Sequence, residues 1–125
     1  MSERFPGQDR IRAARDFERV FRQGKKKQGR FVCIHYLYNK EDRTRVGITV
    51  SKKVDKRAVV RNLIKRRLRE IFRKNRQIFP CCQDIVLRAL PACASAEYGE
   101  LRDEVISLAA DIGFKKTDNI SDTTI

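Results

Sequence analysis

Between positions 52 and 69 stand Lys52, Lys53, Lys56, Arg57, Arg61, Asn62, Lys65, Arg66 and Arg69, a run of cations with one amide among them. Lysine meets phosphate as a mobile point charge, whereas the arginine fork clamps two phosphate oxygens at once. An amide set among arginines is the type that reads a base edge or a ribose hydroxyl. The bland alternative for Asn62 is an ordinary exposed polar residue, and spacing alone does not separate the two.

The same concentration shows in the charge balance. The 125 residues carry 29 Lys and Arg against 16 Asp and Glu, net +13. Residues 52–76 alone are net +10, residues 1–30 net +6, residues 31–51 net +1, and residues 77–125 net −4. A merely solubilising surface would intersperse the signs. Like charge packed into one segment repels itself in the free fold, so a phosphate backbone that neutralises it is the better explanation.

Three other sets of residues bear on chemistry. Phe17 and Phe21, four apart, share one helix face, as core or as a platform on which bases stack. Core packing is the preferred reading for Phe21, and the two uses stay open for Phe17. His35 is the sole histidine, with no Ser or Cys patterned beside it for nucleophilic catalysis. Cys33, Cys81, Cys82 and Cys93 form no C-x-x-C pair, so reduced thiols are expected rather than a zinc site. The acidic residues gather late in the chain (Glu97, Glu100, Asp103, Glu104) on what reads as a solvated helix, not as a two-metal cluster. No catalytic residue and no metal ligand is expected.

Elements must position these groups. Residues 12–23 carry Ala13, Phe17, Val20 and Phe21 at helical spacing, with Gly24 as a stop. Residues 24–29 read as a basic loop bounded by glycines. Residues 30–38 and 45–51 read as strands, the second with Val46, Ile48 and Val50 on one face and Gly47, Thr49 and Ser51 on the other. Their short polar link suggests an antiparallel hairpin.

Residues 59–76 form the dominant helix. At about 100° per residue, Val60, Ile64, Leu68 and Ile71 share an apolar stripe, while Arg61, Lys65, Arg69, Arg73 and Arg76 share a basic one. The segment 51–57 sets Lys52, Lys53, Lys56 and Arg57 beside its start, where free N–H groups and the dipole favour phosphate. Residues 84–90 read as a third strand and residues 96–112 as a last helix ended by Gly113.

The order α-β-β-α-β-α defines an α+β fold, one sheet packed against helices. The expected layout is a flexible basic N-terminus over residues 1–11, one RNA-binding domain over 12–113 and a disordered tail over 114–125. No apolar run reaches the roughly 20 residues that span a bilayer, and the charged start has no secretory pattern. A soluble cytoplasmic protein with a polyanionic partner is expected.

Val46-Gly-Ile-Thr-Val-Ser-Lys-Lys-Val54 followed by Ala58-Val-Val-Arg-Asn-Leu-Ile-Lys-Arg-Arg-Leu-Arg-Glu70 resembles the protein component of bacterial ribonuclease P. Asp16-Phe-Glu-Arg-Val-Phe21 is similar to that family's first helix, and Asp84-Ile-Val86 to its third strand. The resemblance spans about Arg12 to Leu108. It implies a ribosomal-protein-like fold with a left-handed βαβ crossover. It also implies an accessory subunit of a ribonucleoprotein endonuclease that removes the 5′ leader from precursor tRNA. The catalytic RNA would perform a magnesium-dependent hydrolysis.

On this resemblance the residues from Lys52 to Arg69 named above dock on the catalytic RNA, and Phe17, Phe21, His35, Thr49 and Ser51 line a cleft for the single-stranded leader. Both contacts would raise substrate affinity and screen phosphate repulsion. A protonated His35 would add charge to the cleft. No membrane, DNA or obligate protein partner is implied.

Two positions depart from the family pattern. Leu63 stands where a third basic residue is usual and is expected to join the packing. Arg67 falls within the apolar stripe and is expected to snorkel or pair with Glu70. The rival reading is a ribosomal-type structural RNA-binding protein or RNA chaperone on a related fold. A DNA-reading helix is disfavoured because strands, not a helix-turn-helix partner, flank residues 59–76.

Overall fold

The computed structural model describes residues 10–11, 13–39, 43–80 and 82–124, with side chains as far as Ile112. Residues 1–9, most of the expected N-terminal segment, lie outside the described residues. The elements in order are α1 (Ala14–Gln23), β1 (Lys25–Gln28), β2 (Val32–Tyr38), β3 (Arg45–Thr49), α2 (Ala58–Lys74), β4 (Gln83–Ala89) and α3 (Tyr98–Thr124). Short 3-10 turns at Arg76–Ile78 and Pro91–Ser95 join the later elements.

The four strands run in the order β1-β2-β4-β3, with β1/β2 and β2/β4 antiparallel and β3/β4 parallel. The expected β2–β3 hairpin is therefore incorrect, because β4 lies between them. The physical reason is in β4 itself. Ile85-Val86-Leu87 is a continuous apolar run, fully buried on both faces, and only a central strand covered by helices on each side can bury such a run.

The basic loop expected over 24–29 is also corrected: Lys25–Gln28 is an edge strand, paired from Lys25 opposite Tyr36 to Gln28 opposite Cys33. Lysines suit an edge, since their charge discourages pairing with another chain. The turn into β2 is held by Glu104 of α3. Its carboxylate accepts hydrogen bonds from the backbone N–H groups of Arg30, Phe31 and Val32 at 2.8, 2.7 and 2.8 Å. Gly29 leaves room for it: a Cβ there would sit 2.5 Å from that carboxylate and make the Glu104 side chain shift. Glu104 is thus a structural anchor, not part of a solvated face.

One sheet face packs on α2 and α3 through Val32, Ile34, Val46, Ile85 and Leu87, against Ile64, Leu68, Ile71, Phe72, Leu101 and Val105. The opposite face holds a smaller cluster of Ile11, Val20 and Val86 with Phe17 and Leu37, under α1. Arg10 bridges Val46 in parallel, and the Ile11 N–H donates to the Val46 carbonyl at 2.9 Å. These two residues, expected in the flexible N-terminus, extend the sheet past β3 because Ile11 has apolar surface to bury. At the other end α3 runs on to Thr124 rather than stopping at Gly113, so the backbone of 114–124 is helical where no structure was expected. A lone glycine costs a helix only about 1 kcal/mol relative to alanine, and no proline follows to end it.

Candidate nucleic-acid interface

The sheet face under α1 is organised in rows. Lys26, His35, Val86 and Gly47 lie side by side across the four strands, and Gln28, Cys33, Arg88 and Thr49 form the next row. α1 crosses this face with Phe17 over Gly47: a Cβ there would meet the Phe17 ring at 2.5 Å. The glycine lets an aromatic ring approach the β3 backbone, and Phe17 is half-buried in consequence. Phe21, one turn on, meets the His35 ring edge-to-face with centroids 4.7 Å apart. It remains 39% exposed, which corrects the preference for core.

His35 is only 8% exposed and accepts a hydrogen bond at Nε2 from Arg88 Nε at 3.1 Å. An acceptor nitrogen carries no proton, so the ring is neutral with its hydrogen on Nδ1. Burial, then the charges of Arg88 and Lys26, push its pKa down to about 4. His35 therefore adds no charge to the cleft near neutral pH and offers a flat, neutral ring. The cation of this floor is Arg88, half-exposed and in register with Thr49. Neither Arg88 nor Lys26 stood out in the sequence. The available signal was that Asp84 and Arg88 alternate with apolar residues along β4 and so share one face.

Asp84 fixes α1 to the sheet. Its fully buried carboxylate accepts Arg45 Nε and Nη2 at 2.9 and 2.7 Å, Arg19 Nη2 at 2.9 Å and Asn39 Nδ2 at 2.8 Å. Burial alone would raise its pKa. The hydrogen bonds from Arg45, Asn39 and Arg19 outweigh that and hold it below the usual carboxylate range. Because Arg19 belongs to α1, this buried cluster sets where Phe17 and Phe21 lie over the strands.

β3 ends at Thr49, so Ser51 falls in a turn rather than on the strand face. Its Oγ accepts the Lys53 N–H at 3.3 Å and its carbonyl accepts the Val54 N–H at 3.0 Å. That turn presents Lys52 and Lys53 to solvent directly after the aromatic face and directly before α2. Arg57 forks onto Asp55 through Nε and Nη2, both at 3.0 Å. This contact with Arg57 draws the Asp55 pKa down to about 2. Arg61 donates to the Asp55 and Lys56 carbonyls at 3.1 and 2.8 Å, bracing the turn from within the helix. Lys56, Asn62 and Arg66 are exposed, and Lys65 and Arg69 half-exposed. Burial, then the nearby Arg10 charge, lowers the pKa of Arg69.

Of the two departures from the family pattern, Leu63 does not behave as expected. Leu63 is 40% exposed rather than packed, because the buried stripe of α2 is carried by Ile64, Leu68, Ile71 and Phe72. Glu70 pairs with Arg73 at 2.6 Å and Lys74 at 3.4 Å, one turn further along. Arg67 is half-buried, the burial of an arginine whose stem packs while its head stays wet, and close enough to Cys93 for its charge to oppose the rise of that thiol's pKa to about 11, which burial and then Glu104 produce. So high a pKa leaves Cys93 a packing residue, with almost no thiolate near neutral pH. Among the described residues no group of three or more His, Cys, Asp or Glu could hold a metal ion, and no helix is long and apolar enough to cross a membrane.

Comparison with known proteins agrees with this fold. The sequence pattern of the family described as Ribonuclease P matches residues 5–113. The "Ribonuclease P protein component" of Azoarcus sp. (strain BH72) is 36% identical over 106 residues, covering 85% of this chain and 88% of that one. The protein of the same name from Desulforapulum autotrophicum is 41% identical over 101 residues, covering 81% and 86%. Among solved structures, the RNase P protein from Thermotoga maritima superposes with a TM-score of 0.75 at 31% identity, covering 82% of this chain and 96% of that one. The Staphylococcus aureus RNase P protein gives 0.74 at 30% identity, covering 80% and 91%. The chain belongs to the ribonuclease P protein component family.

Proposed function

We propose that this subunit of ribonuclease P holds two RNA segments at once, the catalytic RNA along α2 and the single-stranded 5′ leader of precursor tRNA on the sheet face beside α1. The observation that carries the reading is continuity. The row holding Thr49 and Arg88 leads through the Ser51 turn to Lys52 and Lys53, and from there onto the exposed edge of α2. A single strand leaving the aromatic face is met by cations without a gap.

The groups divide their roles by chemistry. Phe21 offers a half-exposed ring for base stacking, worth roughly 1–3 kcal/mol and indifferent to sequence. Arg88 offers a cation on the strand floor, held in place by neutral His35. Lys56, Asn62, Lys65 and Arg66 present themselves to a structured RNA, and the exposed Arg57 fork can exchange its carboxylate partner Asp55 for a phosphate. Hydrolysis is assigned to the catalytic RNA, with magnesium held by RNA phosphates. The protein side chains bind, orient and lower the repulsion between the two RNA strands. The working compartment is the cytoplasm.

The test is reconstitution with the catalytic RNA and precursor tRNA at low magnesium. The protein should stimulate leader removal, more for substrates with a leader long enough to reach Phe21. Binding should weaken with salt by a slope of about 0.7–0.9 per phosphate contacted. A protein that gave no stimulation, or equal stimulation for a one-nucleotide leader and a long one, would overturn this reading.

A further inference from the structure

On the outward side of α2 two large apolar side chains stand at the edge of the cationic surface. Val59 is 80% exposed and Leu63, one turn on, is 40% exposed. Residues four apart on a helix are neighbours, so the two form one apolar step. Asn62 and Arg66 lie beside it on the exposed face, and Lys56 and Arg57 precede it. The fold does not use the pair, since the buried stripe of α2 runs through other residues.

Resting on the assignment of α2 to the catalytic RNA, we infer that Val59 and Leu63 seat an unpaired nucleobase or the apolar face of a ribose from that RNA. The cations around the step argue for this occupant. A second copy of the chain would bring a like-charged surface against this one, whereas RNA offers phosphates for Arg57 and Arg66 and an apolar base face for the gap between them. Leu63 then replaces a charge contact by a contact indifferent to salt, and the loss of a third basic residue does not weaken docking.

The experiment is equilibrium binding of the full chain to the catalytic RNA over a range of salt concentrations. It compares the Val59→Ala/Leu63→Ala double variant with Arg66→Ala. Alanine raises helix propensity and both sites are exposed, so folding is not put at risk. The double variant should bind about five- to thirtyfold more weakly at every salt concentration, with the salt slope unchanged. Arg66→Ala should lower the slope by about one contact. Wild-type affinity in the double variant, with the slope still altered by Arg66→Ala, overturns the apolar seat and leaves α2 docking intact. No effect from either variant overturns the docking itself. A loss of self-association in the double variant, with RNA affinity retained, assigns the step to a second copy and also overturns the inference.

Discussion

Acid should destabilise this protein through His35 well before the carboxylates titrate. In the unfolded chain the ring titrates near its ordinary 6.5, whereas in the fold burial and the Arg88 and Lys26 charges bring it down to about 4. Above 6.5 both states hold a neutral ring and His35 contributes no pH dependence. Between 6.5 and 4 the unfolded state binds a proton that the folded state refuses, so stability falls as pH falls, by about 1.4 kcal/mol per unit. At pH 5 the loss is about 2 kcal/mol, a large share of the 5–15 kcal/mol typical of a small domain. Urea unfolding at pH 7, 6 and 5 measures it, with His35→Phe as the comparison, since phenylalanine cannot titrate. The wild type should lose about 2 kcal/mol more than the variant over that range. Because His35 is the sole histidine, its ring proton signal in an NMR titration is unambiguous. An NMR pKa near 6.5, together with parallel pH slopes, would refute the claim that Arg88 and burial hold the ring neutral.

Asp84→Asn keeps the shape but removes the charge that two arginines share, and should cost about 3–5 kcal/mol by chemical denaturation. Because Arg19 would lose its sheet anchor, leader affinity should fall as well. Retained stability would show that the cluster is not a net contributor. Glu104→Ala strips the acceptor from three backbone N–H groups and should cost about 2 kcal/mol, with hydrogen exchange rising first at Arg30, Phe31 and Val32. Unchanged exchange there would sink the anchor role. Phe21→Ala should weaken binding of a single-stranded leader by about 1–3 kcal/mol without lowering stability by a comparable amount. A stability loss with unchanged leader affinity would return Phe21 to the core.

Much of this protein was legible in one dimension. The apolar and basic stripes of residues 59–76 follow from a helix's periodicity. The charge confined to 52–76 named a polyanion, and the Ser-Lys-Lys and Arg-Asn spacings named a family. These are local properties, written by neighbours in the chain. Tertiary structure decided which surfaces those properties were used on. β4 took the central place because only there could both faces of Ile85-Val86-Leu87 be buried, and that separated β2 from β3 and put Arg88 beside Thr49. Contacts between distant residues, Arg88 with His35 and Arg19 with Asp84, made the His35 ring a neutral floor and fixed α1 above it. Leu63 remained outside the core because Ile64 and Leu68 already filled the space between α2 and the sheet. Spacing along a helix states which side chains share a side; only the elements packed against it settle which side is inside.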